Sequence, residues 1–537
     1  MAKSLPYIAL IVAVATALSK LIGLLRQQAI ASIFGIGVAY DSYSYAYILP
    51  GFLLILLGGI NGPFHNAIVS ILIHRPINER NYIIAAVNTL IGTILCGVTG
   101  LLLIMADLLI TLVGPGLTPE LHEIAVHQLQ IMAPISLFAG FIGLNFGILH
   151  VSEEFWLPSV SPILSSLTVI CGIGLLWLHL GASINAPEQA LLGGSVLASA
   201  TLIGAIVQWF AQLLFLYKRG FNKLTLLWDW SHPGVWELLK IMGPATLSSG
   251  MLQINVLVDL FFASGIVGAA AALSYSGILV QTPLGLVSST LLVPLLPTLA
   301  RLSASKDYKN LVKRIRQGLI LSNFTMFIVS GLMIVLSYPI VELLYARGAF
   351  NDYAKDTVST LLMTYAIGMP TYLGRDVLVR IFYALSDGLT PLRFSVIGIL
   401  FNVIFDWIFI GGPSPWGLQL PTFNHGTSGL VLSTVAVNIL TYFALLFALQ
   451  SKLNLLPLSK WGVSSFWLLV SAILSSLFAW QITERISWSN DIVSHGIQIC
   501  FCGILSLAIY IISTFFIGVP EIHKFILNLR KSHRSPY

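Results

Sequence analysis

Long apolar runs, most of twenty residues or more, alternate along this chain with short polar segments that carry most of its charges. About twenty consecutive apolar residues let an α-helix cross the hydrocarbon core of a bilayer. Fourteen such runs lie near residues 6–34, 42–73, 82–114, 121–150, 155–180, 190–217, 234–264, 268–300, 312–345, 354–385, 391–411, 426–450, 461–482 and 493–518. A backbone in lipid must satisfy its own polar groups, so the runs predict an all-α polytopic membrane protein with about fourteen transmembrane helices. Composition then excludes a soluble enzyme: 57% of residues are hydrophobic, 9% are charged and the mean hydropathy is +0.90. The longest polar stretches, 218–233 and 301–316, are too short to hold a soluble domain.

Charge orients the pattern. With the N-terminus inside, the inner segments hold nineteen Lys and Arg residues, including Lys3, Arg75, Arg80, Lys218, Arg219, Lys223, the 301–316 cluster and a C-terminal group. The outer segments hold only Arg347, Lys355 and Arg485. Such a bias predicts both termini in the cytoplasm. The net charge of +6 then suits an anionic inner leaflet, and nucleic acid is not needed as a partner. Lys3 and Ala15-Thr16-Ala17 resemble a secretory signal, but apolar character runs on to Phe34, so a retained first span is expected. Cys96, Cys171, Cys500 and Cys502 sit in apolar runs without disulfide or metal-ligand spacing and read as small packing residues. No Gly-rich loop ends in Gly-Lys-Ser/Thr, so ATP is not the direct energy source.

A weak internal echo suggests two related halves. Ala31-Ser32-Ile33-Phe34-Gly35, followed by Ser42 to Gly51 with Pro50, parallels Ala263-Ser264-Gly265, followed by Leu273 to Gly285 with Pro283, at an offset of about 232 residues. Each copy places an outer turn between two spans and a proline about ten residues into the second. The repeat predicts a six-span N-lobe at 1–220, a six-span C-lobe at 230–452, and two further spans with a cytoplasmic tail at 453–537.

An ionisable group within a span is costly unless it meets water, a partner or a ligand, which makes each one a functional candidate. Lys20 and Arg26 share the first span with Gly23 between them. Lys20 lies about 14 residues in, or ~21 Å along the axis, too deep for simple snorkelling. Six residues apart, the two cations point about 120° from each other on an ideal helix, so one cavity takes both only if it is wide or the helix bends. A basic, water-reached pocket of this kind suits a phosphate or pyrophosphate. Asp41 either pairs with one of these cations or caps the second helix.

Asn402 and Asp406, four apart on one face of the eleventh span, form a second group with Asp259 in the seventh and with Leu430 and Thr434 in the twelfth. Two carboxylates, an amide, a hydroxyl and a backbone carbonyl at one depth make an oxygen-rich site for a hard monovalent cation. The alternative is interhelical hydrogen bonding with one carboxylate protonated. Asp376 and Arg380 are spaced for a local ion pair, and Glu237 and Lys240 read as interfacial anchors. His65 and His150 have no ligand-like spacing, and no metal is assigned to them.

Several motifs together resemble the MurJ (MviN) family of lipid II flippases, within the multidrug/oligosaccharidyl-lipid/polysaccharide exporter superfamily. They are Ser19-Lys20-Leu21-Ile22-Gly23-Leu24-Leu25-Arg26, the stretch from Asp41 to Pro50, Leu344-Tyr345-Ala346-Arg347-Gly348-Ala349-Phe350, and Arg380-Ile381-Phe382-Tyr383-Ala384 with Asp387, Thr390 and Pro391. The resemblance covers essentially the whole chain. It implies a non-enzymatic flippase in the bacterial cytoplasmic membrane that moves a polyprenyl-pyrophosphate-linked saccharide to the outer leaflet, with peptidoglycan-synthesis proteins as further partners. It also implies that Lys20, Arg26 and Asp41 serve the substrate, and that Asp259, Asn402, Asp406, Leu430 and Thr434 hold a sodium ion, the sole cofactor implied. Arg347, Arg380 and Asp387 are implied as structural or gating positions.

The chain departs from the family pattern at three places. Gly51 to Leu57 are apolar where basic residues are usual, Ile278 stands where an arginine precedes the eighth-span proline, and Gln27 replaces an acid. These losses weaken or relocate the pyrophosphate grip. They leave open an exporter of another lipid-linked oligosaccharide, or of small cationic or amphipathic molecules.

Overall fold

The computed structural model describes residues 5–518, apart from 60, 61, 74, 221–225, 230, 252, 412–422, 424, 455, 487, 489 and 490. Lys3, Lys223 and the expected C-terminal tail with Lys524, Arg530, Lys531 and Arg534 therefore lie outside the described residues. Among the described residues the fold is helical and no strand occurs.

The chain divides into two compact units, Met1–Ala271 with Arg347–Asn351, and Ala272–Ala346 with Asp352–Tyr537. The first holds α1 (Leu5–Phe34), α2 (Val38–Gly58), α3 (Pro63–Leu72), α4 (Ile77–Ile104), α5 (Ala106–Val113), α6 (Pro119–Met132), α7 (Ile135–Val151), α8 (Trp156–Val160), α9 (Pro162–Leu180), α10 (Ala190–Lys218), α11 (Pro233–Met251) and α12 (Ile254–Ala263). Helix α13 (Ala269–Ala304) begins in the first unit and continues into the second. The second unit adds α14 (Tyr308–Val335), α15 (Ser337–Tyr345), α16 (Asp352–Ala384), α17 (Leu389–Ile410), α18 (Thr427–Leu453), α19 (Leu458–Arg485) and α20 (Ile492–Ile517).

Each of the fourteen apolar runs carries one helix or two in succession. Among the described residues, ten helical segments are long and apolar enough to cross a membrane, or eleven when α6 and α7, bent by 41°, count as one. Helix α16 falls short because its charge-free middle, residues 357–374, is diluted by Thr, Ser, Tyr, Gly and Pro. Where a run is broken, the sequence shows why. Gly62 stands before Pro63 at the first position of α3, where a missing N–H is harmless. Pro134 separates α6 from α7.

The first unit has an inner cluster where Ile68, Leu72, Ile83, Ile84, Leu144 and Leu149 pack with Val235, Leu238 and Met242 of α11. That packing draws α11 to the first unit, so the contact boundary falls at 271/272 and not within 220–230, where the repeat predicts the lobes to part. A second cluster gathers Tyr45, Ile110, Leu129, Met132 and Ile135. The segment 347–351 joins this unit through the Ala349 N–H, which donates to the Ser32 carbonyl at 2.8 Å. Both chains turn through left-handed glycines there, Gly35 at φ +52° and Gly348 at φ +58°. A Cβ on Gly348 would stand 2.1 Å from the Ser32 oxygen, and one on Gly35 2.6 Å from the Ala349 oxygen, so neither position admits a side chain.

In the second unit α14 is covered on one side by the last two helices. Ile320 meets Leu468, Ile328 meets Ala472 and Tyr510, and Leu336 meets Ala479 and Cys502. The Tyr510 hydroxyl donates to the Phe324 carbonyl at 3.0 Å. Of the four cysteines only Cys502 is buried. Cys96, Cys171 and Cys500 sit exposed on the protein's surface, which corrects their reading as packing residues.

Candidate functional site

Two groups of polar side chains lie within the membrane-spanning helices, one in each unit. In the first, α1 presents Lys20 exposed and Arg26 half-buried, as their different headings predict. Buried Arg26 Nε has no hydrogen-bond partner among the described residues. Arg26 lies within electrostatic reach of Tyr43 and Tyr47 on α2. Those two rings stack at 5.4 Å and 9°, and Tyr40 stacks on Tyr43 at 5.8 Å and 15°. The ladder is fixed at two points: Gln27 donates to the Tyr40 hydroxyl, and the Tyr43 hydroxyl shares a 3.0 Å hydrogen bond with Thr201 of α10. Spacing of i, i+3 and i+7 puts the three tyrosines on one helical face, a signal present in the sequence and not used there.

Asp41 is 1% exposed. Its carboxylate accepts the N–H groups of Gly268 at 2.9 Å and Ala271 at 3.0 Å, which places it at the N-terminus of α13, where free amides and the helix dipole favour an anion. It thus caps a helix other than its own.

In the second unit, Asn402 and Asp406 of α17 are both fully buried, and Asn402 Nδ2 donates to Asp406 Oδ2 at 3.0 Å. Across from them Ser433 of α18 donates to the Asn402 carbonyl at 3.2 Å and lies 3.5 Å from Asn402 Oδ1. Leu430 is buried one turn before Thr434, whose carbonyl accepts Asn438 Nδ2 at 2.8 Å. Asn438 Oδ1 in turn accepts Arg375 of α16 at 2.9 Å, and Ser395 of α17 lies 3.4 Å from the same guanidinium. Among the described residues no cluster of three His, Cys, Asp or Glu side chains has the geometry of a metal centre. The donors gathered here are a carboxylate, an amide oxygen, a hydroxyl and helix carbonyls, a set whose chemistry fits a hard monovalent cation. Asp259 belongs to α12 of the first unit. Ser433 was missed in the sequence because one residue along a helix turns the side chain by 100°.

The remaining candidates have structural surroundings. Asp387 accepts the N–H of Thr390 at 3.1 Å and its hydroxyl at 2.8 Å, capping α17, and takes the Lys452 ammonium from the end of α18. The Lys452 hydrogen bond, helped by Thr390, holds the Asp387 carboxyl down to about 2. Arg347 is exposed in the 347–351 segment, and Arg380 is half-buried on α16. Asp376 and Arg380 form no ion pair, which corrects the expected pairing. The Asp376 carboxyl instead lies within electrostatic reach of both Arg375 and Arg380, while Arg375 itself donates to Asn438.

Two further groups were not legible. His65 Nε2 meets His150 Nδ1 at 2.7 Å with the rings at 84°. In the second unit Glu342 of α15 lies 3.5 Å from Lys355 of α16 and 3.2 Å from the buried His495 of α20. Glu237, expected as an anchor, pairs with Arg75 at 3.1 Å.

This helix order, with charged groups inside the spans, has the fold of multi-pass membrane transporters. A solved structure described as "Lipid II flippase MurJ, inward closed conformation" superposes with a TM-score of 0.75 at 23% identity, over 95% of this chain and 99% of that one. An inward-facing MATE family transporter of the MOP superfamily follows with a TM-score of 0.61 at 15% identity, over 81% and 94%. The chain belongs to the lipid II flippase MurJ family, whose sequence model matches residues 30–498. A relative from Synechocystis sp., named "Probable lipid II flippase MurJ", is 43% identical over 97% of this chain and 96% of its own length. One of the same name from Vibrio cholerae is 26% identical over 95% of each.

Proposed function

We propose that this protein moves lipid II from the inner to the outer leaflet of the bacterial cytoplasmic membrane by alternating access, without covalent chemistry and with both termini inside. The observation that carries the reading is identity of 43% across nearly the whole length of a relative named as a lipid II flippase. Arg26 supports it from the structure, since a half-buried guanidinium with a buried, unpartnered Nε is a ready donor for a phosphate oxygen. Lys20, exposed on the same helix, draws the headgroup in. Asp41 serves by fixing the start of α13.

Coupling to sodium is the second part of the proposal. Asn402, Asp406, Ser433, Leu430 and Thr434 would hold the ion from within the second unit. Bound there, it would supply a compensating positive charge, and it drives transport only if it binds two conformations with different affinity. Apolar Gly51 to Leu57 and Ile278 favour a second reading, export of another polyprenyl-linked oligosaccharide.

Rescue of cells depleted of their own lipid II flippase tests the first reading. The wild-type gene is expected to restore growth and Arg26→Ala to lose most of that rescue; a wild-type gene that fails to rescue while correctly inserted removes lipid II as the substrate. For the ion, sodium over potassium is expected to raise the melting temperature of the purified protein, and Asp406→Ala to abolish the difference. An unchanged sodium response in that variant would falsify the site.

A further inference from the structure

From Asp41 to His74 the second span and its continuation contain no Lys or Arg, yet two of its phenols, Tyr43 and Tyr47, lie within electrostatic reach of the half-buried Arg26. Placing a second cation in a span costs several times more than placing a neutral hydroxyl there. A phenol still donates one short, directional hydrogen bond to an anionic oxygen.

The three tyrosine hydroxyls are not equivalent. Tyr40 is buried and takes Gln27, and Tyr43 is held by Thr201. Tyr47 is half-buried, and among the described residues its hydroxyl has no hydrogen-bond partner. Its ring is nonetheless immobilised, stacked at 5.4 Å on Tyr43 and lying over Gly51, where an added Cβ would come within 2.4 Å of it. An ordered donor with nothing to donate to, within electrostatic reach of a guanidinium whose Nε also has no partner, describes half of a binding site.

We propose that Arg26 and Tyr47 form one oxyanion subsite on the first unit, in which both donate to the pyrophosphate of the lipid-linked substrate while the Tyr40–Tyr43–Tyr47 stack fixes the angle of the phenol. The proposal rests on the reading of Arg26 as a headgroup residue and extends it to the neutral donor that stands in for absent second-span cations. Arg26 supplies charge. Tyr47 supplies direction, so it discriminates a pyrophosphate from an uncharged head.

The test measures binding of undecaprenyl pyrophosphate and of undecaprenol to the purified full-length protein by native mass spectrometry, for wild type, Tyr47→Phe, Arg26→Ala and the double variant. Tyr47→Phe keeps the ring and its stacking, and thermal unfolding confirms that it folds as wild type. The expected result is a three- to tenfold loss, about one hydrogen bond, for the pyrophosphate lipid alone, with a double variant little worse than Arg26→Ala because both donors grip one anion. Inorganic pyrophosphate, the same anion without its lipid, is expected to compete in wild type and to lose the same factor in Tyr47→Phe. A Tyr47→Phe protein that binds the pyrophosphate lipid as wild type does, while Arg26→Ala is impaired, overturns the subsite and leaves the headgroup reading standing. Equal losses for undecaprenol, or no change in the inorganic arm, overturn it as well. If neither variant affects binding, the role of Arg26 fails first and the subsite with it.

Discussion

A carboxylate drawn into a helical membrane protein must be hydrogen-bonded, neutralised or hydrated, and three aspartates here satisfy that demand in different ways. Asp41 uses backbone amides more than two hundred residues away, Asp406 uses an amide one turn earlier, and Asp387, in the turn between α16 and α17, uses a lysine and a threonine. Only Asp387 carries a readable pH dependence. Its carboxyl ionises at about 2 in the fold against an ordinary 3.8, so its contribution to stability is full above 3.8 and is lost as pH falls through 2. Acid unfolding in detergent is expected to show wild type more stable than Asp387→Asn at pH 5, with the gap closing between pH 4 and 2. The gap is modest, since solvent screens the pair. A gap that stays constant down to pH 2 would contradict the assignment. Lys20, Arg26 and Asp406 were legible in the sequence because a charge within an apolar run is expensive. The partners were not: nothing along the chain links Asp41 to Gly268, or His65 to His150.

At the level of whole helices, apolar run length located the helices, since it is the quantity the bilayer selects. Each run carries one helix or two, and ten or eleven segments among the described residues are long and apolar enough to span. How a span survives a proline was hidden. Pro370 cannot donate to the Ala366 carbonyl one turn earlier, and that oxygen is instead taken by the Ser330 hydroxyl of α14. Ser330→Ala is therefore expected to cost about 1–2 kcal/mol, the price of a buried carbonyl left without a donor. With Pro370→Ala as background, the restored N–H takes over and the cost should fall close to zero. A double-mutant cycle in chemical unfolding checks this, and an equal cost in both backgrounds would exclude it.

For the molecule as a whole, the loop charges predict an orientation that the helices alone do not. After the four free cysteines are replaced, Ser305→Cys is expected to resist a membrane-impermeant maleimide on intact cells, while Asp352→Cys reacts. The reverse pattern would invert the topology. Why the contact boundary departs from the repeat is also physical: a repeat preserves the order of spans, whereas the grouping of α11 is decided by which apolar surface its Val235 and Leu238 meet.

The five residues from Arg347 to Asn351 are the one piece of the later chain that the first unit claims, held by Ala349 on Ser32. A gene cut after residue 271 would therefore encode a first fragment missing part of itself. Even an alanine at Gly35 or Gly348 would push these two stretches of backbone apart, because they approach too closely to admit a methyl group.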